Sequence, residues 1–175
     1  MRAALRLLAA PLATALALAG CAGPPRQPAP PPDAQGRAIA AVAAALVGTP
    51  YHFGGADGAG FDCSGLALYV HERVGLAIPR TALEQQRAAQ PVAREQLAPG
   101  DLVFFHIRGH RVDHVGVFAG DGRFIHAPRA GQAVAYGDLT SGFYARHFAA
   151  GGRFWQPAAA YVQRAAAACD GVADS

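Results

Sequence analysis

The sequence predicts an α+β domain built around an antiparallel sheet. Two observations carry the prediction: apolar residues recur at helical spacing in the first half, and short β-prone runs bounded by Gly, Asp or Pro fill the second. Helices first and strands later give the α+β class with an antiparallel sheet. Composition agrees with a packed domain, because 52% of residues are hydrophobic and only 15% are charged, which excludes a wholly disordered chain. Within the 175 residues, positions 34–158 suffice for one domain with its own core.

The elements follow in order. Asp33 is a candidate N-cap, Ile39, Val42 and Leu46 recur at helical spacing, and Gly48 stops the pattern. Residues 49–60 form a Gly-rich loop carrying Tyr51, His52 and Phe53. A second helix starts at Asp62, with Cys63, Leu66 or Ala67, Val70 and Val74 on one face and Gly75 at its end. Thr81 caps a third helix reaching Gln90, with Glu84 completing a capping box. Pro99-Gly100-Asp101 is a turn. Residues 102–105, 115–118, 123–126 and 132–136 are expected strands. The segment 143–148 is ambiguous, 153–156 is expected as a last strand, and Pro157 opens a short helix through Ala168.

The amino terminus is expected to be an address. Arg2 and Arg6 precede an apolar run over residues 7–19, which is too short to span a bilayer. Leu18-Ala19-Gly20-Cys21 resembles a bacterial lipobox, which implies removal of residues 1–20 and lipid attachment at Cys21. An ordinary cleaved signal with an incidental cysteine is the alternative. Residues 21–33 contain six prolines and read as an extended tether of about 35 Å between a lipid anchor and the domain. The expected location is the bacterial cell envelope, lipid-anchored. In a Gram-negative cell, Ala22 resembles the residue that sends lipoproteins to the outer membrane facing the periplasm. Residues 159–175 read as a tail in which Cys169 has no assigned role.

The formal charge of +3 is all arginine on the basic side. Removing residues 1–20 leaves 13 Arg against 12 acids, a net +1, so charge gives no case for nucleic acid as a partner. Three cysteines make no disulfide framework.

Two features carry chemistry. Gly60-Phe61-Asp62-Cys63-Ser64-Gly65-Leu66 places a thiol in the first turn of a helix, where free N–H groups and the dipole favour a thiolate and should lower its pKa. A buried, inert cysteine is the plain alternative. His114 opens one strand and His126 lies in the next, joined by Ala119-Gly120-Asp121-Gly122. A three-residue loop over 120–122 makes partner numbers sum to 242 and puts both imidazoles on one face; a two-residue loop puts them on opposite faces. The expectation is the three-residue loop and a shared face.

Five motifs then stand in one order: Pro50-Tyr51-His52-Phe53-Gly54-Gly55; Phe61-Asp62-Cys63-Ser64-Gly65-Leu66; Pro99-Gly100-Asp101-Leu102-Val103-Phe104-Phe105; His114-Val115-Gly116-Val117-Phe118; and Phe124-Ile125-His126-Ala127. In that order they resemble the NlpC family of papain-like cysteine peptidases of bacterial cell walls, over roughly residues 36–156. The resemblance implies a papain-like domain whose nucleophile helix packs on an antiparallel sheet. It implies Cys63 as nucleophile, His114 as general base and His126 as the group orienting that base. Tyr51 matches a residue lining the site that can donate to the oxyanion. Asp62 and Ser64 match positions near the amino-terminal side of the substrate. The implied reaction is hydrolysis of peptidoglycan stem peptides, between D-Glu and a diamino acid or at diaminopimelate cross-links, without metal or organic cofactor. Partners implied are wall peptides, the membrane through the lipid, and an envelope adaptor protein that supplies targeting.

Some positions depart from the family pattern. His52 and Phe53 stand where a basic or polar residue and Trp are more usual, and residues 106–112 form an excursion with no counterpart in those motifs. His106, His110 and His114 would make a metal-like stripe on a helix, but Gly109 and the flanking β-prone runs argue for a solvated loop. Plain readings stand beside the functional ones: Asp62 as a helix cap, Tyr51 as a rim residue, His126 as a satisfied core histidine. Two other function classes are open: a non-catalytic lipoprotein that binds wall peptides or a hydrolase, and a papain-like amidase or acyltransferase on another amide.

Overall fold

The computed structural model describes residues 33–140 and 142–155. The signal region, Cys21, the prolines of the tether, Gln156, the helix expected from Pro157 and Cys169 lie outside the described residues.

Helix α1 (Ala34–Ala45) begins after Asp33, whose carboxylate makes no capping bond and instead pairs with Arg37 one turn along. Its inward stripe is Gly36, Ile39, Ala40 and Ala43, with Val42 and Leu46 at the margin. The stripe expected at 39, 42 and 46 is therefore rotated, because small side chains let the helix axis approach the sheet more closely than Val and Leu would. A two-residue ribbon, β1 (Ala56–Asp57) with β2 (Gly60–Phe61), sits within the loop after α1.

Helix α2 (Cys63–Glu72) has Asp62 as its N-cap, accepting from Gly65 N at 2.7 Å. Leu66, Ala67 and Val70 are fully buried, as the periodicity requires. Helix α3 (Ala82–Ala88) carries the Thr81–Glu84 capping box and stops short of Gln90, which opens an edge strand, β3 (Gln90–Val92). Buried Gln85 joins the two helices, donating through Nε2 to Ser64 O at 3.0 Å and to Pro79 O at 2.8 Å.

The remaining strands are β4 (Leu102–Phe105), β5 (His114–Gly120), β6 (Arg123–His126), β7 (Ala135–Asp138) and β8 (Phe148–Arg153), with a short helix α4 (Gly142–His147) before the last. They form one six-stranded antiparallel sheet in the order β3-β8-β4-β5-β6-β7. Alternation along β4 divides the core. Leu102 and Phe104 join Ile39, Leu66 and Val70 on the face covered by α1 and α2, whereas Val103 and Phe105 join Phe124 and Tyr144 on the other. The turn before β4 is fixed by Asp101, which accepts from Ala98 N at 2.8 Å and is buried against the Arg153 guanidinium at 2.6 Å.

Two strand expectations are corrected. The strand expected at 132–136 is β7 at Ala135–Asp138, because residues 132–134 hydrogen-bond the 48–51 segment instead: Tyr51 N to Gln132 O at 2.8 Å and Val134 N to Thr49 O at 2.8 Å. The last strand is not 153–156 but β8, which ends at Arg153, and the ambiguous 143–148 segment is mostly α4.

The hairpin between β5 and β6 reaches the expected parity by another route. Asp121 and Gly122 both have positive φ (52° and 69°) and Gly120 pairs with Arg123, so the loop has two residues, not three. Asp-Gly is the dipeptide that tolerates this turn. A bulge between Phe118 and Gly120 then shifts the register by one, so that Phe118 meets Phe124 and Val117 meets Ile125. Those partner numbers sum to 242, and His114 and His126 share the face away from α2.

Candidate active site

Cys63 is the first residue of α2, so its N–H and that of Ser64 have no intrahelical acceptor, while Gly65 N is taken by Asp62. The helix start is pressed onto the preceding loop. A Cβ at Gly65 would lie 1.9 Å from Gly55 O, so only glycine permits this approach. Asp62 ties the same region together: Oδ2 accepts from Gly54 N at 3.0 Å, and Oδ1 accepts from the Ser64 hydroxyl at 3.2 Å.

Arg80, which the sequence reading missed, completes this cluster. Its guanidinium grips Asp62 with Nη2 at 2.6 Å from Oδ2 and Nη1 at 3.0 Å from Oδ1, and donates to Ser64 Oγ at 2.9 Å. Burial alone would push the Asp62 carboxyl up, but Arg80, Gly65 N and Ser64 together hold it below the ordinary carboxylate range. Asp62 is therefore both the helix cap and, with Ser64, part of the cavity wall beside Cys63.

The imidazoles meet as the parity requires. His114 Nε2 lies 2.8 Å from His126 Nδ1, with the rings edge to face at a centroid distance of 5.1 Å. With Nε2 committed to His126, Nδ1 is the nitrogen of His114 that remains for another partner. Both rings are buried. Tyr144 stacks on His114 at 6.3 Å and meets His126 edge-on at 5.0 Å, and Phe124 lies 4.9 Å from His126. Tyr144 is a second residue that the sequence reading missed; its only local signal was the aromatic pair 143–144 inside the ambiguous segment.

Burial lowers the pKa of His114 to about 4, with Arg108 pushing the same way and Asp113 opposing. Burial and then His114 lower His126 to about 3. Burial also pushes the Cys63 thiol up, helped by Asp62 and opposed by the N–H groups of Val115, Ser64 and Cys63 itself. The expected lowering by the helix terminus is thus corrected: desolvation outweighs those amides when the thiol is considered alone. A thiolate at this position depends on a proton passing to His114, so that each buried ion faces an opposite charge.

One cavity brings together Tyr51, Asp62, Cys63, Ser64 and His114. Tyr51 is held there by its backbone bond to Gln132 and a parallel bridge to Phe61. Its phenol pKa is raised by burial and by the charges of Cys63 and Asp62. Phe53 is exposed on the rim of the same cavity. Residues 106–113 contain no helix, so His106, His110 and His114 form no helical stripe. Among the described residues, no group of three or more His, Cys, Asp or Glu side chains is placed to hold a metal ion.

Comparison with known proteins identifies the fold that carries this cavity. The NlpC/P60 family model matches residues 48–153, which include every residue of the cavity. The murein DD-endopeptidase MepH of Escherichia coli is 43% identical over 116 residues, covering 63% of this chain and 43% of that protein. The gamma-D-glutamyl-L-lysine dipeptidyl-peptidase of Bacillus cereus is 39% identical over 111 residues, covering 62% of this chain and 33% of its own length. This chain thus spans less than half the length of these curated relatives. A crystal structure of an NlpC/P60 family protein from Bacillus cereus superposes with a TM-score of 0.64 at 35% identity, over 73% of this chain and 41% of that one. Family match, fold and order of motifs agree, and the chain belongs to the NlpC/P60 family.

Proposed function

We propose that this chain is a cysteine peptidase of the bacterial envelope that hydrolyses amide bonds in peptidoglycan stem peptides or their cross-links. The observation that carries the reading is the His114 Nε2–His126 Nδ1 bond beside a thiol on a helix N-terminus. That arrangement supplies a nucleophile, a base and a group that orients the base.

Cys63 Sγ attacks the scissile carbonyl carbon as its proton passes to His114 Nδ1. The Cys63 N–H, with Tyr51 nearby, stabilises the oxyanion. Collapse breaks the C–N bond, and His114 delivers its proton to the leaving amine. A thioester to Cys63 remains. Water, deprotonated by His114, attacks that carbonyl and releases the acid and the free thiol. His126 keeps the His114 ring in one orientation and shares the imidazolium charge while it exists.

The bond is either the D-Glu link to a diamino acid or a diaminopimelate cross-link, since the two relatives named above are a dipeptidyl-peptidase and a DD-endopeptidase. Cys21 carries the lipid in this reading, and the proline-rich segment spaces the domain from the membrane of the cell envelope, where an adaptor protein directs it. Fatty-acid labelling tests the anchor: wild type is labelled and Cys21→Ser is not, and equal labelling of both would remove Cys21 as the lipid site.

The experiment that tests the activity incubates the full chain with defined monomeric and cross-linked muropeptides, beside Cys63→Ala, and reads products by mass spectrometry. A fragment that requires Cys63 supports the peptidase, and its mass identifies the bond. A transferred acyl group would replace it with an acyltransferase. No product from a folded protein would replace it with a wall-binding module.

A further inference from the structure

His114 borders two depressions rather than one. The first holds Cys63, Tyr51, Asp62 and Ser64. The second, of about 440 Å³, is lined by Arg108, Arg129, Gln132 and Tyr144 and does not include Cys63. Arg108, Asp113, His114 and Pro128 are common to both, so the two form one groove with the imidazole at its middle. The acyl part of a substrate must be bonded to Cys63, whereas the leaving nitrogen must receive its proton from His114. The amine-side fragment therefore extends into the second depression.

The charges of that depression specify what it can take. Arg108 and Arg129 are exposed, and among the described residues neither guanidinium makes an ion pair or side-chain hydrogen bond. Asp113 is the acid in the wall, but its carboxylate is engaged, accepting from Ile107 N at 2.7 Å and Arg108 N at 2.9 Å. Those bonds fold the 106–112 excursion back on itself and hold Arg108 over the groove. The Arg108 charge acts on both His114 and Tyr51, and the Arg129 charge acts on Tyr144. Two uncommitted planar guanidiniums beside a general acid are suited to a carboxylate, which accepts paired N–H bonds.

We propose that Arg108 and Arg129 form a subsite for a free carboxylate on the amine-side stem peptide, the fragment released when the bond breaks. The inference rests on the peptidase reading above, and its ligand is a peptide that bears a carboxylate close to the leaving nitrogen. Diaminopimelate is such a residue.

The test uses the full chain and muropeptides that differ at one group, the amine-side diaminopimelate carboxylate or its carboxamide. Wild type should cleave the carboxylate form with kcat/KM at least about tenfold higher, as expected for loss of a charge-assisted pair. In the double variant Arg108→Gln, Arg129→Gln this ratio should fall toward one, and Arg108→Lys, Arg129→Lys should restore part of it. A wild type indifferent to amidation, or a double variant that keeps the preference, overturns the subsite. If no substrate is cleaved, the peptidase reading fails separately, and calorimetry of the same two stem peptides against Cys63→Ser decides the subsite. Tighter binding of the carboxylate form, lost in the double variant, supports it; equal binding or none overturns it.

Discussion

Arg80 offers the sharpest test of how the helix start that carries Cys63 is held. Its side chain is 37% exposed and that of Asp62 14%, with Nη2 at 2.6 Å from Oδ2. A fully exposed pair would contribute under about 1 kcal/mol, and breaking a buried one would cost about 3–5 kcal/mol. The intermediate exposure and bidentate geometry place Arg80→Met at about 2 kcal/mol of lost stability, a fall of roughly 4 °C in Tm per kcal/mol for a domain of this size. Asp62→Asn keeps an acceptor for the helix cap but removes the charge, so the pair isolates the electrostatic part. A double-mutant cycle at pH 7 should give a coupling of about 1–2 kcal/mol by urea unfolding. The sign of its pH dependence follows from Asp62, whose folded pKa lies below the ordinary value. The coupling is present above the ordinary carboxylate pKa of about 3.9 and is lost as pH falls through the folded value. Arg80→Met should also slow iodoacetamide reaction at Cys63, because the Asp62 charge raises the thiol pKa, and Asp62→Asn should reverse that loss. Additivity within about 0.5 kcal/mol together with unchanged alkylation would refute the argument.

Further predictions concern the imidazoles and the helix start. At pH 7, His114→Gln should alkylate at Cys63 at least about tenfold more slowly than wild type, since burial then leaves the thiol without its proton acceptor; equal rates would return the origin of the thiolate to the helix terminus. His71 is fully buried, with Nδ1 2.8 Å from Ala67 O, Nε2 unpartnered among the described residues and a pKa lowered by burial to about 4. Its unfolded form binds a proton below about pH 6.5, so stability should fall by up to about 3 kcal/mol between pH 6.5 and 4. His71→Leu should flatten that slope, and an unchanged slope in unfolding curves would discount His71. Gly65→Ala should destabilise by about 2–4 kcal/mol, because the new Cβ meets a carbonyl oxygen rather than a flexible side chain; a Tm within 2 °C of wild type would contradict that contact.

The parts of the fold that were legible in sequence are those fixed by local chemistry. Residues 102–105 and 123–126 are short β-prone runs bounded by Gly, Asp or Pro, and they are strands with the expected limits. Asp62 caps α2 and Thr81 caps α3 as their side chains allow. The illegible parts are set by distant partners. Phe148-Ala149-Ala150-Gly151-Gly152-Arg153 has little β propensity of its own and is a strand because β3 and β4 flank it. Residues 132–134 look like the start of a strand, but their partners are residues 48–51, which is what fixes Tyr51. Arg80 pairs with a carboxylate 18 positions earlier, a distance at which no local motif operates. The hairpin parity was legible only in its result, because the shorter loop and the bulge offset each other.

The location of the site follows from the two faces of the sheet. Along β5, Val115 and Val117 face α1 and α2, whereas His114 and Phe118 face the side that carries Tyr144. Cys63 comes from a helix on the first side and His114 from a strand on the second. The sheet separates these groups everywhere except at the end of a strand. His114 is the first residue of β5 and His126 the last of β6, so both stand at that end, level with the Val115 N–H that reaches Cys63. A histidine at position 116 would keep the same face but put the sheet between its imidazole and Cys63, and its Cβ would lie 2.4 Å from the Phe124 ring. The same placement explains the charge state. His114 packs against Phe105 and Tyr144 and His126 against Phe124 and Tyr144, and of the two only His114 lines the groove, so burial favours the neutral form of both rings. The burial of the imidazoles and the nearness of His114 to Cys63 are thus products of one geometric fact, the meeting of two sheet faces at the end of β5.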